Sequence, residues 1–208
     1  PDLLKSQTVF VSGGGSGIGR ATAWLAARLG AHVIVGGRTE SKLQDVADAI
    51  NAQETQRATI QVLDIRDKSS VERAFDAIEE RFGAIDLLVN SAGGQFPQAA
   101  IDYSEKGWQT VINTNLHGTW HMMHTAALRW RTHGRGGAIV NIVVVLQGLF
   151  GVAHTCAARS GVIAFSENAA VEWAPLGIRV NCIAPGCIET EGWRVYSDQA
   201  RARYPKTN

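Results

Sequence analysis

The sequence predicts an α/β fold in which a doubly wound parallel sheet is flanked by helices on both faces. Short apolar runs rich in β-branched residues alternate with helical stretches of about ten or more residues, the pattern of parallel strands joined by right-handed crossovers. The first run leads directly into a glycine-rich turn and a helix. No internal repeat, low-complexity tract or linker interrupts the 208 residues, so we expect one domain over residues 1–208.

Six segments are candidate strands. Ligands of doubly wound sheets bind beyond the carboxyl ends of the strands, so the residues that follow each strand are the ones to examine for function. The predicted strands are Val9–Ser12, His32–Gly36, Ile60–Asp64, Leu87–Asn90, Ile139–Val144 and Arg179–Ile183.

Two of the predicted helices have clear apolar spacing. The first carries Ile18, Ala21, Leu25 and Leu29 on one face. A longer helix over Trp108–Trp130 has a stripe that we expect to face the core, and its tryptophans, Trp108, Trp120 and Trp130, we expect in the core or at a subunit interface. That stripe consists of Trp108, Ile112, Leu116, Trp120, Met123 and Ala127.

The turn after the first strand has the glycine spacing of a dinucleotide-binding, Rossmann-like fold. Gly13 permits a tight turn, Gly17 allows close approach of a diphosphate, and Gly19 lets helix and strand pack closely. The helix N-terminus directs free backbone N–H groups and a positive dipole end at the phosphates. The turn predicts diphosphate binding, with Gly13, Gly15, Ser16, Gly17 and Ile18 as contacts.

The end of the second strand indicates which nicotinamide cofactor is preferred. A carboxylate here would bind the adenosine ribose hydroxyls of NAD, but the position holds Gly37 and Arg38 follows. An arginine suits the 2′-phosphate of NADP. We therefore predict NADP(H), with NAD(H) second.

The other strand ends supply further cofactor contacts. Asp64 is placed to accept from the adenine amino group, with Ile65 beside it, and the small residues from Asn90 to Gly94 let the backbone lie against a ribose. The stiff turn from Pro185 to Ile188 is able to hold one face of a nicotinamide.

Together these motifs resemble the short-chain dehydrogenase/reductase family over essentially the whole chain. The matching segments are Ser12–Gly19, Asp64, Asn90–Gly93, Asn113–Leu116 and Ile178–Gly186. The resemblance implies a single NAD(P)-binding domain and assigns Asn115 to support the active site through water. It also places Asn90, Ala92 and Gly93 on the adenosine side, and Pro185, Gly186 and Ile188 at the nicotinamide carboxamide.

The catalytic residues typical of that family are absent. Aligned on Ser160–Val162, its tyrosine becomes Thr155, its lysine becomes Arg159, and its serine falls within Val143–Val145. Arginine binds ribose hydroxyls but does not relay protons, and a threonine hydroxyl is a much weaker acid than a tuned phenol. We expect His154, Thr155 and Arg159 to form the polar cluster beside the nicotinamide, with His154 or Thr155 donating to a substrate carbonyl.

This departure favours one class of substrate. Reduction of a ketone leaves an alkoxide that needs a strong proton donor, whereas hydride addition to an α,β-unsaturated thioester leaves an enolate that hydrogen bonds and positive charge stabilise. The segments Asn90–Phe96 and Val152–Arg159 resemble a branch of trans-2-enoyl-CoA reductases, 2,4-dienoyl-CoA reductases and citronellol dehydrogenases. The enoyl-CoA members have a further tyrosine where this chain has Ile163.

Two alternatives stay open: a dehydrogenase of terpenoid-like alcohols or aldehydes, and a catalytically inactive cofactor-binding sensor or subunit. The net charge of +1 argues against nucleic acid, and no apolar run is long enough to span a membrane. We expect a cytoplasmic homo-oligomer, a dimer or tetramer, that acts on a small molecule such as an acyl-CoA and holds no metal.

The resemblance also bears on the end of the chain, because Asn208 falls inside the family's substrate loop. We expect the C-terminal part of the domain to be missing, with the truncation after about residue 190, and residues 189–208 to act as a mobile lid. Tyr196 and Tyr204 are alternative acids on that lid.

Overall fold

A six-stranded, wholly parallel sheet forms the centre of the computed structural model, which describes residues 2–54, 57–144 and 150–196. The strand order β3-β2-β1-β4-β5-β6 reverses direction at β1, which brings the ends of β1 and β4 side by side. The predicted doubly wound sheet is confirmed. The strands are β1 (Thr8–Ser12), β2 (His32–Gly37), β3 (Ala58–Val62), β4 (Leu87–Asn90), β5 (Gly137–Ile142) and β6 (Ile178–Ile183).

Helices cover both faces of the sheet, as predicted. One buried cluster joins β1 and β2 to α1 and α2, and a second joins the other sheet face to α3, α5 and α6. The helices are α1 (Gly17–Arg28), α2 (Glu40–Glu54), α3 (Lys68–Phe82), α4 (Glu105–Ile112), α5 (Gly118–Thr132) and α6 (Ala153–Trp173).

Two predicted strands were placed two residues too late. β3 ends at Val62 rather than Asp64, because the Asp64 N–H turns to the Ser70 side chain, 3.1 Å away. β5 begins at Gly137, where a Cβ would lie 2.3 Å from the Trp130 ring. Close packing therefore requires glycine in a strand position that an apolar pattern does not reveal.

The predicted apolar face of the first helix was wrong. Ala21 and Leu25 are exposed, Leu25 by 56%, while Ile18 and Leu29 are half-buried. The face against the sheet instead consists of small side chains, which let α1 approach the strands closely. These are Gly19, Ala23, Ala26 and Ala27.

The long helix predicted over Trp108–Trp130 is interrupted. A π-helical turn at Asn113–His117 separates α4 from α5 and rotates the two faces relative to each other, since each residue advances a helix by about 100°. Met123 and Ala127 are buried as predicted, Ile112 and Leu116 are half-buried, and Trp108 and Trp120 are 36% and 37% exposed. No helix of the described residues has the length and apolar character needed to cross a membrane.

Candidate active site

The glycine turn after β1 packs against the end of β4. Gly13 has φ +72°, and a Cβ there would lie 2.6 Å from the backbone nitrogen of Ala92. A Cβ on Gly19 would lie 2.3 Å from the Gly13 carbonyl oxygen. Substituting either glycine would force the turn away from its neighbours.

The N-terminus of α1 already binds an anion, and that anion belongs to this chain. The Gly17 N–H donates to Glu191 Oε2 at 3.2 Å, and Glu191 Oε1 lies 2.6 Å from Arg20 Nη2. Hydrogen bonds from its own N–H and from Gly17, with the Arg20 charge, lower the pKa of Glu191. Ser16 precedes the helix and makes no capping hydrogen bond with its side chain. The sequence carries no signal for the Arg20–Glu191 pair, whose members lie far apart in the chain.

Arg66 binds Asp64 at the predicted adenosine end, and the charge of Arg38 acts on the same carboxylate. Arg66 Nε donates to Asp64 Oδ1 at 2.9 Å and Arg66 Nη2 to Oδ2 at 2.5 Å. These side-chain hydrogen bonds are the main reason that the pKa of Asp64 is lowered, and the Arg38 charge adds to the effect. Arg38 is exposed directly after β2, as its predicted role requires. Arg66 was not among the predicted site residues.

Ile65 and Asn90 contribute to the core more than their predicted roles indicate. Ile65 is 6% exposed and packs against Gly118, where a Cβ would lie 2.7 Å from its side chain. Asn90 is 1% exposed, and its Nδ2 donates to Asn141 Oδ1 at 2.9 Å. Both side chains therefore face the protein interior.

Asn115 lies in the π-helical turn and connects three chain segments. Its Oδ1 accepts from the Gly94 N–H at 3.0 Å, and its Nδ2 donates to the Gly94 carbonyl at 2.9 Å. The same Nδ2 donates to Thr155 Oγ1 at 3.2 Å. The π-helical turn directs this amide at both neighbours, and the support of the active site through water stays a prediction.

Arg159 is a buried cation without a carboxylate partner among the described ion pairs. It is 7% exposed, and its Nη2 donates to the Ala92 carbonyl at 3.1 Å. Burial lowers the pKa of Arg159 to about 10, an effect that the nearby Cys182 thiol opposes. Gly93 makes room for the guanidinium, because a Cβ there would lie 2.3 Å from Nη2.

His154 is separated from this polar cluster by the direction of its ring. The ring is fully buried, stacks on Tyr103 at a centroid distance of 4.5 Å, and meets the Phe96 ring edge-on at 4.6 Å. His154 Nδ1 accepts from the Thr155 N–H at 2.7 Å. Burial lowers the pKa of His154, opposed by the nearby carbonyls of Val152 and Phe96.

Two buried polar atoms in this aromatic group have no hydrogen-bond partner within the described ranges: His154 Nε2 and Tyr103 Oη. Tyr103 lies between β4 and α4 and belongs to none of the matching motifs, so the sequence does not reveal it as a neighbour of His154. The structure therefore brings Asn115, Thr155 and Arg159 together and places His154 behind Thr155.

The remaining predicted positions follow the ends of β5 and β6. Val143 and Val144 follow β5, while Val145 is outside the described residues. Pro185, Gly186 and Ile188 follow β6, and the Ile188 carbonyl accepts from Trp193 Nε1 at 2.7 Å.

Tyr196 and Tyr204 are the two predicted alternative acids. Tyr196 contacts Gln95 across the site, and Tyr204 lies outside the described residues. In the part of the chain that is described, no group of three or more His, Cys, Asp or Glu side chains is arranged to hold a metal ion.

Comparison with known proteins gives consistent matches. A family model described as short chain dehydrogenase matches residues 7–201. The chain is 36% identical over 192 residues to the probable 2,4-dienoyl-CoA reductase of Bacillus subtilis (strain 168), covering 91% of the chain and 75% of that protein. It is 35% identical over 198 residues to the peroxisomal 2,4-dienoyl-CoA reductase of Danio rerio, covering 93% of the chain but only 65% of that protein.

Solved structures agree with these matches. A citronellol catabolism dehydrogenase of Pseudomonas aeruginosa PAO1 superposes with a TM-score of 0.85 at 40% identity, covering 93% of this chain and 80% of the other. A short chain dehydrogenase of Bacillus anthracis superposes with a TM-score of 0.86 at 38% identity, covering 89% and 76% of the two chains.

Proposed function

The chain belongs to the short-chain dehydrogenase family, and we propose that it is an NADP(H)-dependent oxidoreductase that transfers hydride to an α,β-unsaturated acyl thioester or a similar conjugated carbonyl. Membership confirms the resemblance seen in the motifs and makes the chain an oxidoreductase of a family that binds a nicotinamide cofactor. The observation that carries the finer proposal is the cluster of Asn115, Thr155 and Arg159, which offers hydrogen bonds and a positive charge without a phenol.

The residues present fit a nicotinamide dinucleotide. The α1 N-terminus and Arg20 already hold a carboxylate, so this position accepts anionic oxygen atoms. Arg38 is exposed and suits a 2′-phosphate, and Arg159 is a buried donor suited to the nicotinamide ribose. We assign the other contacts as the sequence predicts them: Gly13, Gly15, Ser16, Gly17, Ile18, Asp64, Ile65, Asn90, Ala92, Gly93, Pro185, Gly186 and Ile188.

The chain's own side chains suit a conjugated acceptor. When bound, the cofactor supplies hydride. Because Asn115 Nδ2 donates to Thr155 Oγ1, the threonine hydroxyl keeps its own hydrogen for a substrate oxygen. Arg159 is close by and adds positive charge where an enolate oxygen would develop, and solvent then protonates Cα. In this proposal His154 positions the Thr155 backbone, and Thr155 contacts the substrate.

Consumption of NADPH tests this proposal. The protein is mixed with NADPH and trans-2-enoyl-CoA, citronellal, or no acceptor, and the NADPH absorbance band is followed. We expect NADPH to be consumed with the enoyl-CoA and not without an acceptor. Consumption with citronellal alone would overturn the thioester proposal.

The alternative as a dehydrogenase of terpenoid-like alcohols or aldehydes is favoured by one observation, the 40% identity to a citronellol catabolism dehydrogenase. Oxidation of citronellol with NADP⁺ tests it.

A sensor or inactive subunit is favoured by the threonine and arginine at the positions of the family's tyrosine and lysine. Tight NADPH binding without consumption of any acceptor would support that alternative.

We further propose that the protein is a cytoplasmic homo-oligomer, a dimer or tetramer. The exposure of Trp108 and Trp120 supports an interface along α4 and α5, because large apolar side chains at a surface favour protein contacts. Sedimentation of wild type and Trp120→Lys tests the interface: we expect the variant to dissociate. A wild type that sediments as a monomer would contradict it.

A further inference from the structure

The segment that follows β6 places a carboxylate where the proposed cofactor requires phosphate. Glu191 begins a 3₁₀ turn, Glu191–Val195, and Thr190 caps this turn by accepting from the Gly192 N–H at 3.2 Å. The Thr190 side chain lies 3.5 Å from the position a Cβ on Gly17 would take. Thr190 and Glu191 therefore cover the N-terminus of α1.

We propose that Arg20 is a further cofactor-binding residue, and that Glu191 is an intramolecular anion that competes with the cofactor diphosphate for Arg20 and the Gly17 N–H. This inference rests on the proposed function, because it assumes that a dinucleotide binds at the glycine turn. Neither residue belongs to the glycine motif that predicted the site.

The charges support an exchange rather than a shared site. Carboxylate and phosphate oxygens accept from the same donors, a backbone N–H and a guanidinium. Glu191 uses one oxygen for each of these donors. A diphosphate is itself anionic, so like-charge repulsion disfavours binding beside Glu191. Cofactor binding therefore requires that the Glu191 carboxylate withdraw.

The exposure of the pair makes that withdrawal feasible. The side chains of Arg20 and Glu191 are 45% and 38% exposed, so solvent screens their attraction and the pair is weak. Among the described ion pairs Glu191 is the partner of Arg20, and the first turn of α1 contains no acidic residue, so departure of Glu191 releases the guanidinium. The released arginine then faces the diphosphate.

Changes in affinity for the two coenzymes distinguish the Arg20–Glu191 site from Arg38 at the adenosine end. The diphosphate is common to NAD(H) and NADP(H), so changes at Arg20 or Glu191 alter the affinity for both by the same factor. Arg38, which the proposed function places at the 2′-phosphate, alters the affinity for NADP(H) alone.

Calorimetric titration with NADPH and with NADH tests the exchange in wild type, Glu191→Gln, Arg20→Gln and the double variant. We expect Glu191→Gln to tighten the binding of both coenzymes by about two- to fivefold, because removing the competing charge raises the fraction of protein that is competent to bind. We expect Arg20→Gln to weaken both by about fivefold. The gain in coenzyme affinity from Glu191→Gln should be smaller in the double variant, because Glu191 then has no Arg20 guanidinium to compete for.

Glu189→Gln is the matched control: it removes the same charge from an exposed residue of the same segment. We expect it to leave both affinities unchanged. Equal gains from Glu189→Gln and Glu191→Gln, or no shift in Glu191→Gln and Arg20→Gln while wild type binds, would overturn this inference alone. If wild type binds neither coenzyme, both the inference and the proposed function are wrong.

Discussion

Asn115 Nδ2 and Thr155 Oγ1 lie 3.2 Å apart, a hydrogen bond that joins the π-helical turn before α5 to the first turn of α6. The amide donates in this contact, which orients the threonine hydroxyl without using its hydrogen. This pair is the centre of the proposed donor cluster. Where the family has the phenol of a tyrosine, this chain has the Thr155 hydroxyl, and Asn115 orients it.

Removing the Thr155 hydroxyl should lower catalysis without loss of the fold. Thr155→Val keeps the side-chain volume, and Asn115 Nδ2 retains its bond to the Gly94 carbonyl. We expect kcat/KM on an enoyl-CoA to fall by about tenfold or more, since one donor to a developing oxyanion is lost. Thr155→Ser, which retains a hydroxyl, should preserve most of the activity. Full activity in Thr155→Val would contradict the role assigned to this residue.

Reversing the charge at Arg38 should change coenzyme preference. Arg38→Asp removes the cation beside the proposed 2′-phosphate and adds a carboxylate of the kind that binds ribose hydroxyls. We expect NADPH affinity to fall by at least about tenfold while NADH affinity is retained or improved. The measurement is calorimetry with both coenzymes. A wild type that binds NADH and NADPH equally would argue against the assignment of Arg38.

Gly93 and Gly94 provide a matched pair for packing at Arg159. An alanine Cβ at Gly93 would lie 2.3 Å from Arg159 Nη2, whereas at Gly94 nothing lies within 4 Å. We expect Gly93→Ala to lower the free energy of unfolding by about 1–3 kcal/mol, because the buried guanidinium has to move. Gly94→Ala should change it little. Equal denaturant midpoints for the two variants would show that Arg159 does not occupy the described position.

His154 should make stability depend on pH. Burial lowers its pKa in the folded state, so the unfolded chain binds more protons as the pH falls below the ordinary histidine value of about 6.5. The neutral His154 ring therefore contributes its full share to the free energy of unfolding above about pH 6.5. This share is lost as the pH falls toward the pKa of His154 in the folded protein.

Urea unfolding at several pH values measures this dependence. Wild type should lose stability between about pH 7 and 5 more steeply than His154→Phe, which cannot be protonated. His117→Phe alters an exposed histidine and is the control: it should keep the wild-type slope. Parallel curves for wild type and His154→Phe would contradict the burial of a neutral imidazole.

The sequence predicts the strands and the glycine turn well because both depend on local patterns. The β1–Gly13–α1 unit, β4 at Leu87–Asn90 and the positions of Thr155 and Arg159 on one helix all follow from spacing. The apolar face of α1 was misassigned because close packing selected small residues such as Ala23 over the larger Leu25. The π-helical turn at Asn113–His117 has no periodic signature in the sequence. Because this turn sets the rotation of α5 relative to α4, the sequence does not predict which residues of the two helices share a face.

Contacts between distant segments account for what the sequence could not predict in the site. Tyr103 meets His154 and Arg20 meets Glu191 through side-chain directions that only the folded chain defines. Tyr103, Arg20 and Glu191 belong to none of the motifs that predicted the site. Their positions follow from the sheet edge at which the loops after β1, β3, β4 and β6 converge.

Transfer of labelled hydride tests the central claim most directly. The protein is incubated with trans-2-enoyl-CoA and with NADPH deuterated at the transferable position of its nicotinamide ring, and the acyl product is analysed by mass spectrometry. We predict a saturated acyl thioester with one deuterium at Cβ. Recovery of unchanged enoyl-CoA, or of a reduced product without the label, would contradict the account.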